Sequence, residues 1–273
     1  MSEMKQNLHT HTTFCDGKST PEQLVLAAIE KGFSSIGFSS HSYNPHSGMF
    51  AGKPDRSKEY LQHIRSLQQK YRGAIDIYCG LEVEAAVLPE LTGYDYLIGS
   101  AHYFHIGNEC IGFDRSPERV RQIIDTYFGG SVTEYTRRYL ETLLTLPQYG
   151  NFDILGHFDI HAKNMERIDL FKENDSEYLS LCFDAIDSLA GKIPFFEVNT
   201  GCVARGYRSI PYPIPVFIKR MREKGFGAVI TSDCHDAKYL DYGFDEARVL
   251  LKECGFREHY ILTSNGFQPV PIA

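Results

Sequence analysis

The chain has 273 residues, 42% hydrophobic and 23% charged, which is the composition of an ordinary globular protein with enough length for a substantial core. No run of about eighteen apolar residues marks a membrane span, and the opening MSEMKQNLHTH lacks the apolar core of a secretory leader, so a cytoplasmic protein is expected. The net charge of −7 disfavours nucleic acid as a partner, and seven scattered cysteines without a C-x-x-C pair argue against a disulfide framework or zinc knuckle.

In chain order, the first expected strand is KQNLHTH (5–11). A helix follows, with Thr20 as N-cap, Pro21 at the first helical position, Gln23 closing a capping box and Gly32 ending it. The strand SSIGFSSH (34–41) comes next, then a helix near 55–71, the strand IDIYCGLE (75–82) and the strand YDYLIGSAH (94–102). Helices are expected near 116–128 and 131–146, then the strand FDILGHFD (152–159), a helix near 176–190 and the strand FFEVNTG (195–201). A helix near 213–224, the strand GAVITSDCH (227–235), a helix near 245–254 and a weaker strand HYILTSNG (259–266) complete the series; Gly191, Gly225 and Gly255 close three of the helices. Alternating strands and helices imply parallel strands joined by crossover helices. Seven or eight units without a linker predict a closed barrel, one domain over 1–273.

The strands end in polar residues of metal-ligand type. The first runs into His9, His11 and Asp16, the second into His41 and the third into Glu82. The fourth ends in His102, the fifth in His157, and the seventh in Asp233 and His235. In an α/β barrel these ends converge on one face. Residues i and i+2 of a strand share a face, so His9 and His11 can grip one metal, and Asp233 and His235 repeat the geometry across the barrel. Imidazole with carboxylate suits Zn, Mn or Fe, and nine candidates are too many for one ion of about four to six ligands, so two or three ions are expected. A packing explanation would bury many ionisable groups side by side, which is costly without metal or pairing. Glu84 shares the face of Glu82 and is an alternative ligand. His46 and His63 are expected in a loop and a helix, His105 and His161 at the surface or in loops, and His259 at the surface.

The ordered set HTHTTFCDG, the His41 strand, GLE, SAH, GHFD and SDCH resembles the motifs of the polymerase and histidinol phosphatase (PHP) superfamily from residue 7 to 235. Chain length and the segment EVNTGCVARGYR make it most similar to the monofunctional histidinol-phosphate phosphatases. The resemblance implies a distorted TIM-like (β/α)7 barrel with divalent ions, usually three, at the C-terminal ends of the strands. It places His9, His11, Glu82 and Asp233 on the first ion. Glu82 bridges to the second, completed by His102 and His157, and Asp16, His41 and His235 hold the third. It also implies cations on the phosphate: Arg205 matches one, Lys163 is the candidate for the second, and Arg167 and Arg208 stand nearby.

The implied reaction is metal-assisted hydrolysis of a phosphomonoester, with Asp16 or His41 assisting the leaving alcohol. L-Histidinol phosphate is the implied substrate, and a homodimer is compatible with the reading. The rivals are a phosphatase acting on phosphotyrosine or nucleotides, an amidohydrolase-like enzyme on the same barrel, and a barrel that keeps metals only as structure. A nuclease should show a basic track, which this acidic chain lacks.

Overall fold

The computed structural model describes residues 4–45, 56–87, 90–172 and 174–272. His46 therefore lies outside the described residues. The nine strands of its first part are β1 (Gln6–Asn7), β2 (Ser35–His41), β3 (Asp76–Glu84), β4 (Tyr96–Ser100), β5 (Tyr103–Ile106), β6 (Glu109–Gly112), β7 (Ile154–Leu155), β8 (Phe195–Asn199) and β9 (Gly227–Thr231). Seven of them form one sheet in the order β1-β2-β3-β4-β7-β8-β9, every neighbouring pair parallel. No ladder pairs β1 with β9 among the described residues; the Asn7 side chain reaches Ser232 at 2.7 Å, and beyond the strands Thr10 bridges Cys234 and the His11 N–H donates to the Cys234 carbonyl at 2.9 Å. The result is a nearly closed barrel.

The helices that cover it are α1 (Pro21–Glu30), α2 (Arg56–Lys70), α3 (Pro117–Phe128), α4 (Val132–Leu143), the short α5 (Leu146–Tyr149), α6 (Ser176–Leu189), the short α7 (Gly201–Ala204), α8 (Pro215–Glu223) and α9 (Phe244–Glu253). The expected capping box is present: Gln23 N–H donates to Thr20 Oγ1 at 3.2 Å and Thr20 N–H donates to Gln23 Oε1 at 2.8 Å. It fixes where α1 starts, and so where the segment carrying His9 to Asp16 must end.

The barrel interior is filled at its N-terminal end by the Tyr96 ring. A Cβ at Gly80 would stand 2.3 Å from that ring and one at Gly37 2.4 Å from its hydroxyl, so both positions must lack a side chain. The Tyr96 hydroxyl donates to the Phe38 carbonyl at 3.0 Å and also to that of Leu8. Leu8, Ile98, Ile154 and Val229 pack around it. This plug leaves the opposite end, where the strands turn polar, free for a site.

Two expectations are corrected. The weak eighth strand does not join the barrel: β10 (Glu258–Thr263) pairs antiparallel with β11 (Gly266–Pro271). The hairpin covers the N-terminal end, with Leu262 against the Leu8–Tyr96 plug and Gln6 exchanging two hydrogen bonds with the Leu262 backbone. His259 is therefore buried, not at the surface, and burial with Arg248 nearby pushes its imidazole down to about 4. The antiparallel hairpin β5–β6 was not expected at all; it projects from the end of β4. No helix among the described residues is long and apolar enough to cross a membrane.

Candidate metal centre

All nine proposed ligands lie at one end of the barrel. His41 closes β2, in register with Glu82 of β3, and Glu84 follows two residues on. The ligand atoms of His11, Asp16, His41 and His235 lie within 4.8 Å of one another, as do those of His9, Glu82 and His157, and those of His9, His11 and Asp233. His102 joins none of these groups. Its Nε2 stands 3.6 Å from Glu82 Oε1, on the side where His157 Nε2 approaches the same oxygen at 2.9 Å. The trio Asp16, His41 and His235 implied for one ion is thus brought together, with His11 added.

The donor atoms face one another in a way that protein contacts alone leave incomplete. Glu82 Oε2 and Asp16 Oδ1 are buried and take part in no hydrogen bond. Yet His41 Nδ1, His9 Nε2 and His11 Nε2 stand 2.8, 3.4 and 3.5 Å from Glu82 Oε2, and His41 Nε2 stands 3.5 Å from Asp16 Oδ1. His9 Nε2 and His11 Nε2 point at each other at 3.1 Å. Buried, unmatched oxygens ringed by imidazole nitrogens fit a shared cation, and the nitrogen and oxygen donors fit divalent metals.

Surrounding residues fix the orientation of these rings. Glu197 of β8 is fully buried and was not anticipated as part of the site. Its Oε2 lies 2.8 Å from His9 Nδ1 and accepts from Thr231 Oγ1 at 2.8 Å; its Oε1 accepts from the His157 N–H at 2.7 Å and from Asn199 Nδ2 at 2.9 Å. An ionised carboxylate against Nδ1 requires a proton there, which turns the His9 Nε2 lone pair toward the cluster. Burial works to raise the Glu197 carboxyl, but His9 outweighs it and the pKa lies below the usual range. Glu84 does for His102 what Glu197 does for His9: its Oε2 accepts from the His102 N–H at 2.9 Å and lies 3.1 Å from Nδ1. Between the two glutamates of β3, Glu82 is the one amid the imidazoles.

Cys15, also unanticipated, holds its Sγ 3.3 Å from His11 Nδ1. Burial raises its thiol, but His11 outweighs this and brings it down to about 6. Asp233 adopts φ 45°, a left-handed backbone uncommon outside glycine. Arg205 holds it there: Nη1 donates to the Asp233 carbonyl and Nη2 to Asp233 Oδ2, both at 2.9 Å.

Above the cluster opens a cavity of about 370 Å³, lined by Asp16, His41, Glu82, His102, Asp233 and His235 together with Lys18, Asp114, Arg115, Lys163, Arg205 and Tyr207. That volume lies in the range of roughly 300–1,000 Å³ usual for small-molecule sites. Arg205 and Lys163 are both in its wall. Lys163 is ion-paired with Asp114, its Nζ 4.5 Å from the centre of the Tyr207 ring. Arg115, whose position depends on the unexpected β5–β6 hairpin, is a further cation of the wall. Arg167 lies exposed outside the lining, donating to the Gly206 carbonyl. Arg208 is buried elsewhere: its Nη1 donates to Asp159 Oδ2 at 3.0 Å, which removes it from the phosphate candidates. His161, expected at the surface or in a loop, is buried against the Tyr139 ring at 4.2 Å between centroids, and burial pushes its imidazole down to about 3.

A nearly closed parallel barrel with imidazoles and carboxylates gathered at the C-terminal ends of its strands defines a barrel protein built around a metal centre. The family model described as the PHP domain matches residues 7–201, and the chain belongs to that family. It is 28% identical over 263 residues to a "Probable histidinol-phosphatase" of Deinococcus radiodurans, covering 91% of this chain and 93% of that one. It is 26% identical over 280 residues to the histidinol-phosphatase of Bacillus subtilis, covering 92% and 99%. The crystal structure of histidinol phosphate phosphatase from Lactococcus lactis, complexed with zinc, L-histidinol and phosphate, superposes with a TM-score of 0.72 at 24% identity over 97% of this chain and 98% of that one.

Proposed function

We propose that this chain is a metal-dependent phosphomonoester hydrolase that converts L-histidinol phosphate and water to L-histidinol and phosphate. The observation that carries the reading is the junction of two sets of groups in one cavity. Overlapping donor groups for divalent ions form its floor, and the Arg205 guanidinium stands in its wall. The names of the relatives, matched over nearly the whole chain, supply the substrate.

In this reading His9, His11, Glu82 and Asp233 serve one ion, Glu82 with His102 and His157 a second, and Asp16, His41 and His235 a third. Zinc, manganese or iron bound there would supply an activated water and draw electron density from the phosphoryl group. The protein does the rest. Glu197 and Glu84 keep the Nε2 atoms of His9 and His102 turned inward. Arg205, planar and always charged, offers its fork to phosphoryl oxygens while it steadies Asp233. Asp16 and His41 stand 3.5 Å apart at the cavity edge and, as holders of the third ion, would assist the departing alcohol.

The test is elemental analysis of protein prepared without chelator, followed by turnover of the reloaded protein on L-histidinol phosphate, phosphotyrosine and nucleoside monophosphates. The expected result is two or three ions per chain and a kcat/KM highest for L-histidinol phosphate. Less than one ion per chain after reloading with Mn or Zn, or a preference for another ester, overturns the reading.

A further inference from the structure

Two carboxylates in the wall of the cavity stand outside the metal centre, Asp236 and Asp114, and of these Asp236 is tied to the backbone of its own turn. Of the acidic residues in the lining, Asp16, Glu82 and Asp233 stand among the imidazoles and Glu84 is bound to His102. Asp236 Oδ1 accepts from the Lys238 N–H at 3.2 Å, and its Oδ2 pairs with the same lysine at 3.5 Å. Asp114 is left. Its side chain is 31% exposed into the cavity, and its ion pair is with Lys163.

Its place is fixed by the backbone. The β5–β6 hairpin turns the chain back so that the Phe113 N–H donates to the His102 carbonyl at 3.0 Å, which sets Asp114 one residue from a contact with a proposed metal ligand. On the other side, Asn164 Nδ2 donates to the Arg115 carbonyl at 3.0 Å and ties the same loop to the segment carrying Lys163. Burial alone would raise the Asp114 carboxyl, but Lys163, His102 and Arg205 outweigh it and hold it below its usual range, so it is an anion at neutral pH.

We propose that Asp114 receives the ammonium group of the substrate and selects phosphate esters whose alcohol bears an amine on the carbon next to the ester carbon. The inference rests on the proposed function for its preferred substrate, but the chemistry it names is wider. In such an ester the ammonium nitrogen is separated from the phosphate oxygen by two carbons, so an anion that reads it must stand directly beside the groups that hold the phosphoryl. Asp114 does, next to His102 and within the field of Arg205. The amine replaces one ammonium by another, because Lys163 already occupies the carboxylate. Lys163 retains the Tyr207 ring as a second partner, and its charge becomes available to the phosphoryl oxygens. The amine-bearing ester therefore gains the released Lys163 as a contact of its phosphoryl group, whereas an ester that lacks the amine leaves Asp114 and Lys163 locked together, and this difference is the discrimination.

The experiment measures kcat/KM for the metal-loaded wild type and for Asp114→Asn on two matched pairs. One pair is L-histidinol phosphate and its deamino analogue; the other is phosphoethanolamine and ethyl phosphate. The readout is the ratio within each pair, so a smaller fraction of active protein divides out. The wild type is expected to favour the amine-bearing ester about 10- to 100-fold, the worth of one charge-assisted contact, and Asp114→Asn is expected to bring the ratio close to one. A wild-type ratio near one in both pairs, or a ratio that survives in Asp114→Asn, overturns the role of Asp114. No turnover of L-histidinol phosphate, with an Asp114-dependent ratio in the ethanolamine pair, overturns the proposed function and leaves Asp114 as the reader of the amine.

Discussion

Glu197→Gln is an isosteric change that tests how the metal centre is held. The carboxylate receives four donors, and one of them cannot adapt. The His157 N–H at 2.7 Å is a backbone group, so the glutamine carbonyl must stay on that side, where Asn199 Nδ2 also donates. The new NH2 then faces Thr231 Oγ1 and His9 Nδ1, each formerly 2.8 Å from Oε2. The threonine hydroxyl can rotate to accept. His9 can accept at Nδ1 only by moving its proton to Nε2, the atom 3.1 Å from His11 Nε2 and 3.4 Å from Glu82 Oε2. A protonated Nε2 is no ligand. Loss of such an orienting partner weakens metal affinity or activity about 10- to 100-fold, or about 1.4–2.7 kcal/mol. The assay is metal retained after dialysis against graded chelator, with kcat/KM at saturating Mn and a melting curve to confirm folding. A Glu197→Gln protein that keeps wild-type metal retention and wild-type rate refutes the argument that His9 is presented through Nε2.

Arg205→Ala is expected to lower kcat/KM on L-histidinol phosphate about 10- to 1,000-fold at saturating metal, the loss of a contact of about 1.5–4 kcal/mol to the transition state; an unchanged value returns Arg205 to a purely supporting role beneath Asp233. Arg208→Met should act on stability instead, costing about 3–5 kcal/mol in urea denaturation because Asp159 is left as a buried charge, and a variant of normal stability with a slow reaction would place Arg208 in the phosphate site after all. In the chelated protein burial works to lower His9 and His102, but the carboxylates around them raise the two imidazoles from 6.5 to about 10 and about 9, and His11 is raised as well. The folded chain then holds more protons than the unfolded one above pH 7, so stability falls as pH rises toward 9; Cys15, lowered from 9.0 to about 6, opposes this, and the lowered His161 and His259 oppose it only near pH 6.5. The Tm of chelated protein should drop by at least about 3 °C between pH 7 and 9, the shift that roughly 1 kcal/mol produces at this size, while metal-loaded protein stays level; a flat chelated profile would contradict the coupling.

Much of the barrel was legible because parallel strands buried on both faces leave short apolar runs, and because glycines mark the ends of the helices between them. The two hairpins were missed although both left a signal. The Gly107-Asn108 pair fills the loop of β5–β6, with Ile106 opposite Glu109, and Gly107 has φ 58°. Asn265-Gly266 marks the β10–β11 turn, with Gly266 at φ 84°. In HYILTSNG the run of β-branched and aromatic residues reads equally well as a buried strand, so only the turn distinguishes an eighth barrel strand from half of a hairpin. The consequence for function is unequal. The terminal hairpin covers the end away from the site, whereas β5–β6 brings Asp114 and Arg115 into the cavity wall.

The proposed ligands were legible for a reason that the other histidines make plain. His9 and His161 are both fully buried, yet one imidazole is raised to about 10 and the other lowered to about 3. His161 lies four residues past His157 in a short 3-10 turn (Ile160–Ala162) and faces Tyr139, Tyr135, Phe171 and Tyr178, where nothing balances a charge. His9 faces Glu197, Glu82 and Asp233. Residue type does not separate the two; position relative to a strand end does, because only there do several strands deliver carboxylates to one point. Glu197 escaped the same logic because it lies inside β8, between Phe196 and Val198. The signal was available: a carboxylate in the middle of an apolar strand must find partners for its charge. It finds them in His9 and the His157 backbone. Glu82, Asp233 and Glu197 together bring more negative charge into the barrel than hydrogen bonds alone neutralise. The histidines around them must therefore either carry protons or share divalent ions.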